Sequence, residues 1–318
     1  MAATRSARED TVAYVLGIDG GGSGTAAWLS GAGGRILARA TAGPSNPVKV
    51  GDSLAGQRLV EAAQSALRKA GLSRTTIDAI CAGVAGAGRP GIDRRLLAAM
   101  RRGIRARQYI LTTDGIIALE CALERSPGVV VVAGTGSIAY GRDSRRRIFR
   151  CGGWGSAFDD SGSGYDIGRR AVAAALRDFD GRGPATRLRR DICRALRIKD
   201  ITQVVEMSLT PDRVAALFPA VLHAAVAGDA LAKQLCREAG RSLAELAATV
   251  LKQLDGPPAG RRVVCAGGVF KASSSVRRSF AANLHQTVPG AKITLLRRAP
   301  VEGAVALARS HVTACHNK

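Results

Sequence analysis

Residues 14–25 read YVLGIDGGGSGT. This apolar, strand-forming run stops at Asp19 and enters a loop of four glycines interrupted by Ser23. Because glycine carries no side chain, the main-chain N–H groups of such a loop can come close to a phosphate. The stretch therefore predicts a strand that leads directly into an anion-binding loop.

The loop differs from two better-known phosphate-binding patterns. No Gly-Lys-Ser/Thr follows it, as the Walker A pattern requires, and the next predicted element is a strand at 25–29, whereas a dinucleotide fingerprint opens a helix. Asp19, at the end of the first strand, is well placed to hold Mg²⁺ through water. The residues expected to bind phosphate in this loop are Gly20, Gly21, Gly22, Ser23 and Thr25.

The order strand, glycine-rich loop, strand, turn, strand occurs twice in the chain. A strand at 35–41 completes the first copy, and the second copy runs from an apolar strand at 129–133 to a strand at 147–151. A repeat of this kind predicts a duplicated fold with two related lobes. Two such loops that face each other across a cleft would clamp the β- and γ-phosphates of ATP. The second loop consists of Gly134, Thr135, Gly136 and Ser137.

Hydrophobic spacing elsewhere predicts alternating strands and helices, which is typical of an α/β protein. We expect an N-terminal lobe at 1–118, in which 1–12 form a flexible tail, and a C-terminal lobe at 119–318 with a helical insertion. The last helix is expected to pack back on the first lobe. Helices are predicted at 54–70, 92–105, 163–177, 187–196, 213–253 (with breaks near Gly228 and Gly240) and 301–310, and strands at 77–84, 110–112, 263–266 and 292–296.

Asp114 follows the short apolar strand predicted at 110–112. A carboxylate at the carboxyl end of a buried strand lies where α/β proteins usually bind ligands. One interpretation is structural, because Asp114 can cap a helix at 115–123. The other is catalytic: Asp114 takes the proton of a sugar hydroxyl, or orients that hydroxyl, as it attacks the γ-phosphate.

Residues 152–164 read GGWGSAFDDSGSG and mix glycines, a tryptophan and two adjacent carboxylates. A plain surface loop rarely contains tryptophan, so Trp154 could form a stacking wall for a sugar while Asp160 binds the sugar hydroxyls. Alternatively, Trp154 fills the core, and Asp159 or Asp160 caps the helix that begins near Ser163.

Composition narrows the class of protein. The chain carries 47 Lys and Arg against 25 Asp and Glu, a formal net charge of +22, but its arginines are dispersed and aromatic residues make up only 4%. Base-stacking platforms are therefore not expected, and neither is a nucleic-acid partner.

No apolar run approaches the ~20 residues of a membrane helix, and no export signal is recognised at the amino terminus, so we expect a cytoplasmic protein. The seven cysteines and four histidines have no metal-binding spacing.

Four motifs, taken together, resemble those of the N-acetylglucosamine kinases and their BadF/BadG-type ATPase relatives. LGIDGGGS at 16–23 resembles the first phosphate motif, and GTGS at 134–137 the second. GGWG at 152–155, followed by Asp160, Gly162 and Ser163, resembles the sugar-binding signature, and VCAGGV at 264–269 the adenosine motif. The resemblance implies a two-lobed actin-like ATPase (ribonuclease H-like) α/β fold, with duplicated βββαβαβα-type domains and a cleft between the lobes.

The resemblance also implies roles for individual residues. Asp114 corresponds to the catalytic aspartate and Asn46 to an asparagine that contacts the sugar, while Gly267 and Gly268 would lie against the adenosine. The implied reaction transfers the γ-phosphate of ATP, with Mg²⁺, to the 6-hydroxyl of an amino sugar, N-acetylglucosamine first, accompanied by closure of the lobes. A homodimer is the expected assembly. Other positions matched to sugar contacts are Thr135, Gly136, Gly153, Trp154 and Asp160.

Three departures from the family pattern leave the acceptor sugar open, with glucosamine or a related amino sugar as the alternative. The family usually has Gly-Asp-Glu-Gly where this chain has DDSG at 159–162, Thr113 replaces a common asparagine, and Asp166 replaces a frequent aromatic residue.

Two functions of other classes also stay open. An ATP-driven activator of radical dehydratases or reductases would hold an iron–sulfur cluster with cysteines, and only Cys151 lies in a glycine-rich loop. A sugar-responsive regulator would need a segment that reads bases, and no helix-turn-helix segment is expected before Tyr14.

Overall fold

The chain is organised around two five-stranded sheets. The computed structural model describes residues 14–257 and 260–316, so the flexible tail predicted at 1–12 lies outside the described residues. These residues form two compact units. The first extends to Cys121 and resumes at Arg298, and the second is Ala122–Arg297.

The first sheet consists of β1 (Val15–Gly20), β2 (Thr25–Ser30), β3 (Ile36–Ala42), β4 (Ile77–Val84) and β5 (Ala106–Thr112). Its order is β3-β2-β1-β4-β5. Strand β2 runs antiparallel to both β1 and β3, whereas β1, β4 and β5 run parallel to one another. The carboxyl ends of the three parallel strands therefore meet at one edge of the sheet. The helices that begin in this unit are α1 (Pro47–Val50), α2 (Asp52–Lys69), α3 (Pro90–Gly103), α4 (Asp114–Leu123) and the last helix of the chain, α12 (Val301–His316).

The second sheet repeats the topology of the first. It consists of β6 (Gly128–Ala133), β7 (Ser137–Arg142), β8 (Ile148–Gly152), β9 (Arg262–Ala266) and β10 (Lys292–Leu295). Its order, β8-β7-β6-β9-β10, has the same antiparallel and parallel pairings as β3-β2-β1-β4-β5. The predicted duplication is therefore confirmed. The helices of this unit are α5 (Gly164–Phe179), α6 (Leu188–Leu196), α7 (Pro211–Ala215), α8 (Phe218–Val226), α9 (Ala230–Gln253), α10 (Gly268–Ala272) and α11 (Ser274–Thr287).

One of the two predicted helix breaks is wrong. The chain does turn at Gly228, whose φ of 99° ends the preceding helix, and Asp229 caps α9. Gly240, however, lies inside an uninterrupted α9. A Cβ atom at Gly240 would lie 2.6 Å from the Cβ of Ser279 and 2.7 Å from the amide nitrogen of Phe280. This glycine therefore allows α9 and α11 to pack closely and does not end the helix.

The last helix packs against the first strand. Val15 of β1 shares a buried cluster with Ala304, Val305 and Ala308 of α12. The contact is close, because a Cβ atom at Gly17 would lie 2.5 Å from the amide nitrogen of Val305. In the part of the chain that the structure describes, no helix combines the length and the apolar character needed to span a membrane.

Candidate functional site

Loop 1, residues 19–25, is fastened to the segment that follows β3. The amide of Gly21 donates to the carbonyl oxygen of Gly24 over 2.9 Å, and the amide of Ser45 donates to the carbonyl oxygen of Gly21 over 3.1 Å. The hydroxyl of Thr25 is buried, 2.7 Å from the carbonyl oxygen of Gly43 and 2.8 Å from Oγ of Ser45. Thr25 therefore holds the loop in place, while Ser23 between the glycines is exposed.

The register of the first sheet brings Asp19 close to Asp114. Asp19 pairs with Gly83 across β1 and β4, and Gly83 pairs with Thr112 across β4 and β5, two residues before Asp114. Burial, and then the charge of Asp114, raise the pKa of Asp19 from 3.8 to about 6. Burial also raises the pKa of Asp114, against the hydrogen bond that its Oδ1 accepts from Gly115 N. Two carboxylates with raised pKa values beside a glycine-rich loop are typical of a functional site.

The capping interpretation of Asp114 is wrong. The carbonyl oxygen of Thr113 accepts from the amides of Ile116 and Ile117, and its Oγ1 lies 3.4 Å from Ile116 N. Thr113 therefore has the geometry of the N-cap, and Asp114 is the first residue of α4. A carboxylate in the first turn of a helix is favoured by the helix dipole, which explains how a half-buried aspartate is tolerated there.

Asn46 lies at the start of α1. Its Oδ1 accepts from Val48 N over 2.9 Å and thereby caps the helix. A Cβ atom at Gly86, whose φ is 84°, would lie 2.7 Å from the same oxygen. Asn46 therefore lies against the backbone that follows β4, and its amide nitrogen is the group that can donate to a ligand.

Loop 2, residues 134–137, is held by two aspartates of the second unit. Thr135 Oγ1 donates to Asp212 Oδ1 over 2.9 Å, and Ser137 N donates to Asp160 Oδ1 over 3.0 Å. A Cβ atom at Gly136 would lie 2.9 Å from both carboxylate oxygens of Asp160. Glycine at this position therefore lets the carboxylate of Asp160 lie directly against the loop.

Asp160 itself is buried and has a left-handed backbone, with a φ of 68°. Burial raises the pKa of its carboxylate, the hydrogen bond from Ser137 N opposes this, and the charges of Asp159 and Asp166 add to the rise. Ser163 caps α5, because its Oγ accepts from Asp166 N over 3.1 Å. The alternative in which Asp159 or Asp160 caps that helix is therefore wrong.

Trp154 does not fill the core, contrary to the structural alternative. The residue is 70% exposed, and the guanidinium of Arg150 stacks over its ring at 4.4 Å. Gly153, directly before it, has a φ of 74° and packs against Ile138, the second residue of β7. This geometry presents the indole ring to solvent, where a ligand can stack on it.

The two glycines after β9 have different environments. Gly267 has a φ of 95°, and a Cβ atom there would clash with the backbone of Ala133, directly before loop 2. Gly268, the first residue of α10, faces open space, as does Gly134 of loop 2. The structure therefore brings the Gly267–Gly268 segment next to loop 2 and leaves open backbone at both places.

Sequence reasoning missed two charged residues at these loops. Asp212, at the start of α7, holds Thr135 from 77 positions along the chain. The side chain of Lys49 lies beside Gly22 of loop 1. No spacing signal marks Asp212, whereas the position of Lys49 three residues after Asn46 is a signal that could have been used.

Known proteins resemble this chain over nearly its whole length. A model of the BadF/BadG/BcrA/BcrD ATPase family matches residues 16–308. The N-acetylmuramic acid/N-acetylglucosamine kinase of Clostridium acetobutylicum is 35% identical over 302 residues, which cover 93% of this chain and 98% of that protein. The N-acetyl-D-glucosamine kinase of Dictyostelium discoideum is 28% identical over 309 residues, which cover 92% and 97%. A crystal structure from Chromobacterium violaceum, described as a candidate N-acetylglucosamine kinase, has a TM-score of 0.79 and 26% identity and covers 93% of this chain and 99% of its own.

Proposed function

The chain belongs to the BadF/BadG/BcrA/BcrD ATPase family, and from that premise we propose that it is an ATP-dependent amino-sugar kinase. The proposed reaction transfers the γ-phosphate to the 6-hydroxyl of N-acetylglucosamine or a close relative. The observation that carries the proposal is the pair of carboxylates, Asp19 and Asp114, at the carboxyl edge of the first sheet beside loop 1. A kinase needs a carboxylate for its base and another near the metal, and this pair supplies both.

Asp114 is the proposed general base. As the sugar oxygen forms its bond to the γ-phosphorus, the bond from that phosphorus to the bridging oxygen breaks, and ADP leaves. The hydroxyl proton passes to the carboxylate of Asp114. A carboxylate whose pKa is raised by burial is a stronger base than one in water, which suits proton transfer near neutral pH. General base catalysis typically contributes ~10²- to 10⁴-fold to the rate.

Loop 1 is proposed to bind the terminal phosphates, and Asp19 to hold Mg²⁺ through water. Among residues 14–257 and 260–316, no group of three or more His, Cys, Asp or Glu side chains is arranged to hold a metal ion. A Mg²⁺ ion here would therefore take most of its ligands from phosphate oxygens and water, as it usually does in kinases. The ion would neutralise charge on the phosphates during transfer.

The second unit is proposed to contribute further nucleotide and sugar contacts. Gly134 and Gly268 face open space, so that phosphate and adenosine can approach the backbone there. The exposed ring of Trp154 offers a surface on which a sugar can stack. Direct sugar contacts of Thr135, Gly136, Gly153 and Asp160 stay predictions that follow from the family resemblance.

N-acetylglucosamine is the first choice of acceptor because the relatives in Clostridium and Dictyostelium are both named for it. The DDSG segment at 159–162 departs from the family pattern at two positions, which keeps glucosamine as the second choice. We also propose that the protein works in the cytoplasm, where ATP is supplied. The family resemblance further predicts a homodimer. Sedimentation of the purified chain tests the dimer.

The decisive experiment is coupled ADP release with Mg-ATP and a panel of sugars: N-acetylglucosamine, N-acetylmuramic acid, N-acetylmannosamine, glucosamine and glucose. Asp114→Ala should abolish turnover with the preferred sugar while the variant still binds ATP. Asp78→Asn is the matched control, because Asp78 lies at the opposite end of β4, where it accepts from Tyr14 N. This control should keep the wild-type rate.

Two outcomes would overturn the proposal. ATP hydrolysis that no sugar stimulates, together with iron in the purified protein, would indicate an activator of radical enzymes. Binding of a sugar without any turnover, together with retention on DNA that falls as salt rises, would indicate a regulator. If Asp114→Ala does not reduce turnover, the protein would still be a kinase, but its general base would be a residue other than Asp114.

A further inference from the structure

Lys49 lies across loop 1 in the first unit. A Cβ atom at Gly22 would lie 2.6 Å from Nζ of Lys49, 3.2 Å from Cε and 3.4 Å from Cδ. The ammonium group and the end of its stem therefore run over the backbone of Gly22. Lys49 is an exposed residue of α1, so the charge lies at the surface of the loop that faces solvent.

Gly22 is not required by its backbone conformation, and the end of the Lys49 side chain lies in the space that a Cβ atom at position 22 would take. Gly22 is absent from the residues with positive φ in the first unit, which include Gly51, Gly86 and Gly88. A residue with a side chain could therefore adopt the backbone of Gly22, but the side chain would occupy the space of the lysine ammonium. A side chain at position 22 would therefore displace the Lys49 ammonium from its place over loop 1.

The connection between loop 1 and α1 holds the lysine in this place. The amide of Ser45 donates to Gly21 O, and Thr25 Oγ1 lies 2.7 Å from Gly43 O, so that residues 43–45 are tied to the loop. Asn46 then caps α1, and Lys49 follows on the same short helix. The side chain of Lys49 is therefore presented by a segment that is hydrogen-bonded to the loop.

On the basis of the ATP-dependent function proposed above, we propose that Lys49 binds the γ-phosphate of the nucleotide held by loop 1. Loop 1 brings ATP, whose phosphates are highly charged, next to the carboxylates of Asp19 and Asp114. A lysine ammonium is a compact charge that binds phosphate oxygens through several hydrogen bonds. The Lys49 ammonium lies over Gly22 of loop 1, and Lys49 follows Asn46, the expected sugar contact, on the same short helix, so its charge falls near the phosphoryl group that is to be transferred.

A structural role for Lys49 makes a different prediction. A lysine in the last turn of a helix can stabilise the helix dipole and the free carbonyl groups. Loss of that role would lower the free energy of unfolding but would not distinguish ATP from ADP. A γ-phosphate ligand, by contrast, affects ATP much more than ADP.

The test is calorimetric binding of ATP and ADP to the full-length chain and to Lys49→Met, which keeps most of the stem but removes the charge. ATP should bind about 10- to 100-fold more weakly, the usual range for a lost hydrogen bond to a charged group, while ADP binding changes little. Lys49→Arg should restore part of the ATP affinity. Lys69→Met is the matched control, because Lys69 donates to Arg39 O at the end of α2 and should leave both affinities unchanged.

Binding separates this inference from the kinase proposal. If the wild-type chain phosphorylates no sugar, the kinase proposal fails, and the comparison of ATP with ADP still decides the role of Lys49. If the chain is a kinase, Lys49→Met should also lower kcat more than it raises KM for the sugar. Unchanged ATP affinity, or equal weakening of ATP and ADP in a variant with wild-type thermal stability, would overturn the proposal.

Discussion

Thr135 donates a hydrogen bond of 2.9 Å to Asp212 Oδ1, which joins loop 2 to the first turn of α7. Because the hydroxyl proton of Thr135 is donated to Asp212, the carboxylate fixes the orientation of the Thr135 hydroxyl. We expect Thr135→Val and Asp212→Ala each to lower the free energy of unfolding. The double variant should lose less than the sum of the two, with a coupling energy of about 1 kcal/mol.

Chemical denaturation of the four proteins in this cycle measures the coupling. Asp212→Ala combined with Thr287→Val is the control, because Thr287 is an exposed residue at the end of α11. The effects of that pair should add. Additive losses for Thr135 and Asp212 as well would contradict the predicted link.

Two glycines of loop 2 should respond differently to alanine. A Cβ atom at Gly136 would lie 2.9 Å from the carboxylate oxygens of Asp160, whereas one at Gly134 would contact nothing within 4 Å. Gly136→Ala should therefore push Asp160 away from Ser137 N and lower the free energy of unfolding by about 1–3 kcal/mol. Gly134→Ala should change it by no more than about 0.5 kcal/mol. Equal thermal shifts in the two variants would contradict the packing described for Asp160.

The order and type of most elements could be predicted from the sequence, because glycine-rich loops mark where strands end. The actin-like α/β class is confirmed by the matching topologies of the two sheets and by the similarity to the Chromobacterium structure, with a TM-score of 0.79. The strand predicted at 110–112 is in fact Ala106–Thr112. Its first half contains Arg107 and Gln108, and such polar residues are tolerated because β5 lies at the edge of its sheet.

Gly240 shows why a helix break cannot be read from glycine alone. Glycine lowers helix propensity by about 1 kcal/mol relative to alanine, but this local cost is tolerated where another helix must come close.

Gly240→Ala should force α9 away from Ser279 and Phe280 and lower the free energy of unfolding by about 3 kcal/mol. Gly91→Ala is the matched control in α3. Its nearest neighbour would be 3.8 Å away, and because Gly91 lies in the first turn of α3, the change should leave stability unchanged or raise it by up to about 0.5 kcal/mol.

The same limit applies to the site. The two loops, Asp19 and Asp114 could be identified because each follows an apolar strand, and strand ends are visible in the sequence. Asp212 could not be identified in this way, since its contact depends on how helix α7 is placed, and Lys49 is marked only by its position three residues after Asn46. The hydrogen bond from Thr135 joins residues 77 positions apart. Local patterns carry no information over such a separation.

Asp19 should make the stability of the chain depend on pH. Burial and the charge of Asp114 raise its pKa from 3.8 to about 6. Between these values the folded chain keeps a proton that the unfolded chain releases, so the free energy of unfolding falls as pH rises through this range. Asp19→Asn removes the buried charge. The variant should therefore be more stable than the wild type at pH 7–8, by about 2–3 kcal/mol, and this advantage should disappear below about pH 4.

Denaturation of both proteins between about pH 2.5 and pH 8, a range that brackets the two pKa values of Asp19 and extends below the usual pKa of an aspartate, measures the difference. Asp200→Asn provides a control of opposite sign, because hydrogen bonds from the side chain and amide of Thr202 lower the pKa of Asp200. That variant should be less stable than the wild type at neutral pH, and the deficit should shrink as pH falls through the lowered pKa. An advantage of Asp19→Asn that is the same at every pH would show that Asp19 carries no buried charge in the folded chain.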